Sequence, residues 1–203
     1  VVEHGAADQL FINTSGIGKV IAKPRPKLIR PGDKLILTGT LGEHSLAILT
    51  ARGDFGLESH IQSDCAPLTF LLPFWKNGIL WMRDITRGGL ATILSELTDQ
   101  IPHPLLIEED KIPLSKAVQA ASELLGIDPL YLACEGRAVL VVPGEKAENV
   151  LARIKKNRLG RKAAIIGQVQ GKIGQPGELL LRTSAGGLRL LEPLSSELLP
   201  RIC

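Results

Sequence analysis

Aromatic side chains are scarce in this chain of 203 residues: phenylalanine, tryptophan and tyrosine together make up 3% of it. A core must therefore come from Leu, Ile, Val and Ala, and hydrophobic residues at 44% supply enough of them for one large domain. The same scarcity removes the platforms on which bases stack, and no basic run is interleaved with aromatics. A formal net charge of +3 is too small to attract nucleic acid by itself. No apolar run approaches the roughly 20 residues of a membrane span, and no signal-peptide pattern opens the chain. The three cysteines, Cys65, Cys134 and Cys203, form no CxxC pair and are not surrounded by histidines. Such a scattered, odd set excludes a disulfide framework and offers no metal site; it fits reduced thiols in a cytoplasm. The expectation is a cytoplasmic protein with neither nucleic acid nor membrane as a partner.

Present instead are apolar strands alternating with amphipathic helices. Continuous apolar stretches mark strands at 34–38, 78–82, 103–108, 138–142, 163–169, 178–182 and 188–191, the last two hairpinned through Ala185-Gly186-Gly187. Helices are expected over 45–52, from about 64 to Trp75, over 90–99, 113–125 (ended by Gly126) and 146–157. Ser63 or Asp64 is expected to cap the second of these, with Cys65 in its first turn, and Thr86 to cap the third. Residues 8–20 read as two strands around a glycine turn, and Lys23-Pro24-Arg25-Pro26-Lys27 as a connector. The fold class is α/β (α+β): a mixed sheet covered by helices.

Two strand-to-helix junctions carry the polar residues. Gly39-Thr40-Leu41-Gly42-Glu43-His44 follows the first strand; its glycines suit either a phosphate cradle or a tight turn. Arg83-Asp84-Ile85-Thr86-Arg87-Gly88-Gly89 gathers two arginines, an acid and paired glycines where open α/β sheets bind ligands. Asp84 is expected to pair with one of the arginines, and the glycines to allow close backbone approach. Glu135 lies between an apolar approach and a strongly apolar strand; burial there suits a carboxylate for acid/base work, with pairing to Arg137 or Arg87 as the plain alternative. Cys134 is read as a small buried hydrophobe. The final residue, Cys203, follows Pro193 and a short apolar stretch, which suits an arm carrying a nucleophile as well as it suits a frayed end.

In order, the chain carries Gly5-Ala6-Ala7-Asp8, Phe11-Ile12-Asn13-Thr14-Ser15-Gly16-Ile17-Gly18, Pro31-Gly32-Asp33-Lys34 and Gly39-Thr40-Leu41-Gly42-Glu43-His44. Ser63-Asp64-Cys65-Ala66-Pro67-Leu68, Met82 to Ala91, Ala133-Cys134-Glu135-Gly136-Arg137 and the terminal Pro200-Arg201-Ile202-Cys203 follow. This series resembles the HypE family of hydrogenase maturation proteins, in the superfamily of aminoimidazole ribonucleotide synthetase and selenophosphate synthetase. The internal motifs are those of the superfamily; the terminal Pro-Arg-Ile-Cys is particular to HypE. Ile85 departs from the pattern, where relatives often carry proline.

The resemblance implies an ATP-dependent carbamoyl dehydratase with Mg²⁺. The partner HypF loads a carbamoyl group on the terminal cysteine, dehydration leaves a thiocyanate, and cyanide passes to iron held by HypC and HypD for [NiFe]-hydrogenase. Cys203 matches the carrier and Glu135 the deprotonating acid. Asp84, Arg87, Gly88 and Gly89 match the second domain's face of the nucleotide cleft, and Asn13 the first domain's edge. The implied division is 1–27 as the end of a first domain, 28–192 as the second domain and 193–203 as the tail. Val1 opens inside a strand-like run, so the chain is expected to lack most of the first domain, its activity, and the family homodimer in its usual form. Two alternatives stay open: another small-molecule kinase of the superfamily, and a non-catalytic fragment that docks on partners.

Overall fold

In a computed structural model, the structure describes residues 13–20, 22–53, 60–75 and 78–194. Seven strands form one sheet: β1 (Lys34–Leu37), β2 (Trp81–Asp84), β3 (Leu105–Glu108), β4 (Ala138–Val142), β5 (Ala164–Val169), β6 (Leu179–Arg182) and β7 (Leu188–Leu191). Their order across the sheet is β2-β4-β1-β5-β3-β6-β7. Every neighbouring pair is antiparallel except β3 and β6. The sheet is therefore mixed, as its apolar runs and single hairpin predict.

The strand pattern decides which helix lies on which face. Along β4, Val139 and Val141 join one buried cluster, while Ala138, Leu140 and Val142 join another. Side chains alternate across a strand, so these clusters are the two faces of the sheet. On the first face lies α3 (Gly89–Thr98), which buries Leu90, Ala91, Ile93, Leu94 and Leu97. On the second lie α2 (Leu72–Trp75), with Phe74, and α5 (Ala147–Lys155), with Val150 and Ile154. The remaining helices, α1 (Glu43–Arg52) and α4 (Lys116–Leu125), share a third cluster through Leu46, Leu49 and Val118. Ser115 caps α4 by accepting the Val118 N–H, and Gly126 ends it in the left-handed region, φ 68°.

Several local expectations change. The 64–75 stretch holds only a 3₁₀ turn, Leu68–Leu71, and the short α2, so Cys65 stands exposed ahead of the helix. Pro73 and the 3₁₀ geometry keep this element short. The N-cap of α3 is Gly88 at φ 81°, not Thr86. Of the paired strands expected over 8–20, residues 8–12 lie outside the described residues, and 13–20 carry no strand. The proline-rich connector is clipped to the sheet by Arg25, whose N–H donates to Leu80 O at 2.7 Å.

Antiparallel pairing fixes the geometry of the site. Both β1 and β2 run antiparallel to β4, which lies between them, so their C-terminal ends reach the same edge of the sheet. The start of β4 joins them there: Ala138 is opposite Asp84, and Val139 opposite Leu37.

Close strand pairing at the other end of the sheet is equally specific. A Cβ on Gly167 would stand 2.1 Å from Leu106 O, a backbone atom of the neighbouring strand. Gly167→Ala is expected to lower stability by about 3 kcal/mol in urea unfolding, because β3 and β5 must separate to admit the methyl group.

Candidate functional site

Three short segments meet at that shared edge: the turn from β1 into α1, the loop before β4, and the turn from β2 into α3. The loop 132–137 is stitched to both neighbours. Cys134 N–H donates to Ile85 O at 2.8 Å, and Ile85 N–H donates to Arg137 O at 3.0 Å. On the other side, Gly42 N–H donates to Cys134 Sγ at 3.3 Å and Ser45 Oγ to Ala133 O at 3.1 Å. The start of β4 is closed by Thr38 Oγ1, which accepts the Ala138 N–H at 2.9 Å.

Arg137 occupies the centre. Its Nε donates to Thr40 O at 3.1 Å and its Nη1 to Gly136 O at 3.2 Å. Two carboxylates share its charge: Glu43 Oε2 at 3.6 Å from Nη2, and Asp64 Oδ2 at 3.5 Å from Nε. Arg137 and Glu43 are 14% and 13% exposed and Asp64 is 1% exposed, so water screens the group little. Neither Glu43 Oε2 nor Asp64 Oδ2 accepts a hydrogen bond among the described residues, while Thr40 Oγ1 donates to Glu43 Oε1. Asp64 Oδ1 accepts the Glu135 N–H at 3.0 Å. Beside this cluster, His44 Nδ1 and Ser63 Oγ are in hydrogen-bond contact at 2.8 Å.

The glycines at this edge face the chain itself. A Cβ on Gly136 would stand 1.9 Å from Asp64 O, and one on Gly89 2.4 Å from Leu130 O. A Cβ on Gly39 would meet Arg137 Nε at 2.6 Å. The close approach expected of Gly88 and Gly89 is thus to Thr92 and to the 130–131 backbone. In the same way, the Gly39–His44 turn spends its glycines on Arg137 and on the Cys134 thiol rather than on an open cradle.

The residues singled out from the sequence divide as follows. Glu135 is half-buried in the stitched loop, and Asp84 and Arg87 are exposed at the adjacent junction, with Gly88 and Gly89 buried behind them. Arg83 pairs with Glu96 at 2.7 Å rather than with Asp84. Arg137 pairs with Glu43 and Asp64 rather than with Glu135, and Asp64 caps no helix. Asn13 is exposed in a segment without strand or helix, outside this cluster, and Cys203 lies outside the described residues. The expectations missed Glu43 and Asp64 as members of one ion cluster. The available signal was a lone arginine entering a fully apolar strand, which demands a counter-charge from elsewhere.

Beyond β7, Tyr131 Oη donates to Glu192 O at 2.9 Å, and Leu194 N–H donates to Thr92 Oγ1 at 3.1 Å. The chain after the sheet is therefore led across the first turn of α3, beside the loop that bears Glu135. Among the described residues no group of three or more His, Cys, Asp or Glu is placed to hold a metal, and no helix is long and apolar enough to cross a membrane.

Cys134 is sealed within the site. Burial, helped by the Asp64 charge, pushes its thiol from an ordinary value near 9 up to about 12. The unfolded chain releases this proton first as pH rises. The thiol's contribution to stability is therefore full below pH 9 and is lost between there and about pH 12. Urea unfolding between pH 8 and roughly 10.5 should show a steeper decline in the native chain than in Cys134→Ala. Removing the guanidinium in Arg137→Met strands two buried carboxylates and should cost about 3–5 kcal/mol. The exposed counterpart Arg83→Met should cost less than about 1 kcal/mol in the same assay.

The family model for the AIR synthase related protein, C-terminal domain, matches residues 30–175. A carbamoyl dehydratase HypE from Rhodobacter capsulatus is 43% identical over 209 residues, covering 100% of this chain and 61% of that protein. One from Cupriavidus necator is 42% identical, with 100% and 59% covered. Among solved structures, a hydrogenase maturation protein HypE superposes with a TM-score of 0.83 at 37% identity, covering 91% of this chain and 60% of that one. A HypE in complex with ATP gives 0.80 at 37% identity, covering 89% and 55%. A HypE–HypF complex gives 0.75 at 34%, covering 83% and 55%. The chain thus spans about three-fifths of the length of the curated relatives it matches.

Proposed function

This chain belongs to the AIR synthase related family, in which its relatives are HypE carbamoyl dehydratases, and from that membership we propose that it serves [NiFe]-hydrogenase maturation by ATP-dependent dehydration of a carbamoyl group. The carrier is the Cys203 thiolate, which attacks the carbamoyl carbon presented by HypF, expels the activating group bonded to that carbon, and holds the carbamoyl as a thiocarboxamide. ATP, when bound, supplies the phosphoryl group that turns the amide oxygen into a leaving phosphate. Glu135 takes one proton of the amide nitrogen as the oxygen is phosphorylated, passes it to solvent, and takes the second as phosphate departs, leaving a thiocyanate on Cys203. The cyanide then passes to iron held by HypC and HypD. Asp84, Arg87, Gly88 and Gly89 form this chain's edge of the nucleotide cleft, with Asn13 on the opposite edge. The exposure of Asp84 and Arg87 fits contact with a ligand from outside the sheet. Mg²⁺, which the family resemblance implies, would come with the nucleotide and be held mainly by its phosphates and water. The reading divides the chain into a connector from a first domain (1–27), the cleft-bearing domain (28–192) and the carrier tail (193–203), acting in the cytoplasm.

The observation that carries this reading is the root of the tail. Thr92 and Tyr131 hold residues 192–194 against the first turn of α3, four positions from Gly88 and beside the Glu135 loop. The nine residues after Leu194, ending at Cys203, span at most about 30 Å. The carrier therefore starts within reach of the base instead of at a remote end of the fold.

Incubation with HypF, ATP and carbamoyl phosphate should add one carbamoyl group to Cys203 by mass spectrometry, and none in Cys203→Ser. An unmodified native chain would sink the proposal and favour a superfamily kinase without a carrier thiol. With this chain exchanged for the matching segment of the Rhodobacter capsulatus relative, Glu135→Gln should slow loss of water from the adduct at least about 100-fold. Formation of the adduct should be unaffected; undiminished dehydration would remove Glu135 from the mechanism.

A further inference from the structure

One buried carboxylate beside Glu135 has no part in the chemistry proposed above. The Asp64 side chain is 1% exposed, and the residue meets three consecutive residues of the loop with three different atoms. Its Oδ1 accepts the Glu135 N–H at 3.0 Å. Its carbonyl oxygen fills the space that a Cβ on Gly136 would occupy, 1.9 Å away. Its Oδ2 stands 3.5 Å from Arg137 Nε and accepts no hydrogen bond among the described residues.

This arrangement is costly if only the fold is considered. An ionised carboxylate out of water is expensive, and here two of them share one guanidinium at 3.5 and 3.6 Å. A neutral asparagine oxygen would accept the same amide. What the charge adds is strength in the bond from the Glu135 N–H, because an ionised acceptor holds a backbone donor more tightly than a neutral one. The other backbone groups around Glu135 are fixed as well: Cys134 N–H by Ile85 O, and Gly136 O by Arg137 Nη1. The main chain at 134–136 is thereby held from three elements, and the side-chain torsions of Glu135 are the freedom left. A base displaced by about an ångström loses much of its rate, so holding the backbone from which it projects has a direct chemical use.

We propose that Asp64 is a positioning residue, which fixes the backbone of Glu135 through its N–H and so sets how the Glu135 carboxylate meets the carbamoyl group on Cys203. This rests on the function proposed above for Glu135; the placement itself rests on the Asp64 contacts alone.

The test uses the 203-residue chain with Asp64→Ala and Asp64→Asn, read by NMR. Asp64→Ala should speed hydrogen exchange of the Glu135 amide at least tenfold and move the Glu135 carboxyl ¹³C resonance towards its free-peptide position. Amides in the middle of β4, such as Leu140, should keep their native exchange rates. Asp64→Asn, which retains an oxygen acceptor, should restore most of the protection and the native resonance. If Asp64→Ala fails to fold, the Asn variant decides, with a threefold acceleration confined to Glu135 as the expected result. An unchanged Glu135 amide and resonance would overturn the inference, as would acceleration spread equally over β4. A native chain that takes no carbamoyl group on Cys203 would instead overturn the function, and the exchange data would still decide what holds Glu135.

Discussion

A single guanidinium holds this site together. Arg137 enters the sheet immediately before the fully buried strand β4, where an arginine has little access to bulk water for its charge. It obtains counter-charge from two segments distant in sequence, Glu43 at the start of α1 and Asp64 in the stretch before α2. It also binds two carbonyls, of Thr40 and Gly136. Each partner gives up hydration to be there, so the cluster is favourable only when all members are in place. That dependence couples the β1–α1 turn, the 63–66 segment and the loop bearing Glu135 into one unit. The chemistry proposed for Glu135 needs a loop held in place, because a base displaced by about an ångström loses much of its rate.

Much of the fold was legible from residue pattern. The five consecutive apolar residues of β4 read as a strand buried on both faces, and its alternate side chains do enter two different cores. Gly126 and the Ala185–Gly187 hairpin were legible for an equally local reason, since a left-handed φ is most easily met by glycine. Caps were less legible. Thr86 and Asp64 are both good N-cap types, yet one gives way to Gly88 and the other is drawn into an ion cluster. Tertiary demand for charge outweighs a cap contribution of about 1 kcal/mol when the alternative is an unpaired buried arginine.

At the site, the motif residues of the two strand-to-helix junctions and of the loop before β4 gather at one edge of the sheet. The glycines looked like room for a ligand, but Gly39, Gly89 and Gly136 are filled by the chain's own atoms. Sequence adjacency also hid the counter-charges of Arg137, which are Glu43 and Asp64 rather than its near neighbour Glu135. Such pairings depend on which strand ends share an edge, and that follows from the order β2-β4-β1, in which strands adjacent in space are far apart in the chain. Nothing in the local pattern announces that order. The root of the tail was hidden for the same reason, since Thr92 and Tyr131 lie on elements about 100 and 60 residues before the segment they bind.

The strand order has a consequence for the way the protein comes into being. On the ribosome β1 emerges before both of its neighbours, β4 and β5, and Lys34 finds its partners only at Val142 and Gln168. Until those residues are made, β1 presents Leu35, Ile36 and Leu37 with both edges unpaired, which invites association with any other exposed strand. The centre of the sheet thus stays open until β5 has been made, and long-range pairing of this kind makes for slow folding. The half-finished chain is its most vulnerable form, and a chaperone that shields this short apolar strand during translation would protect the molecule at the stage when it has no means of its own.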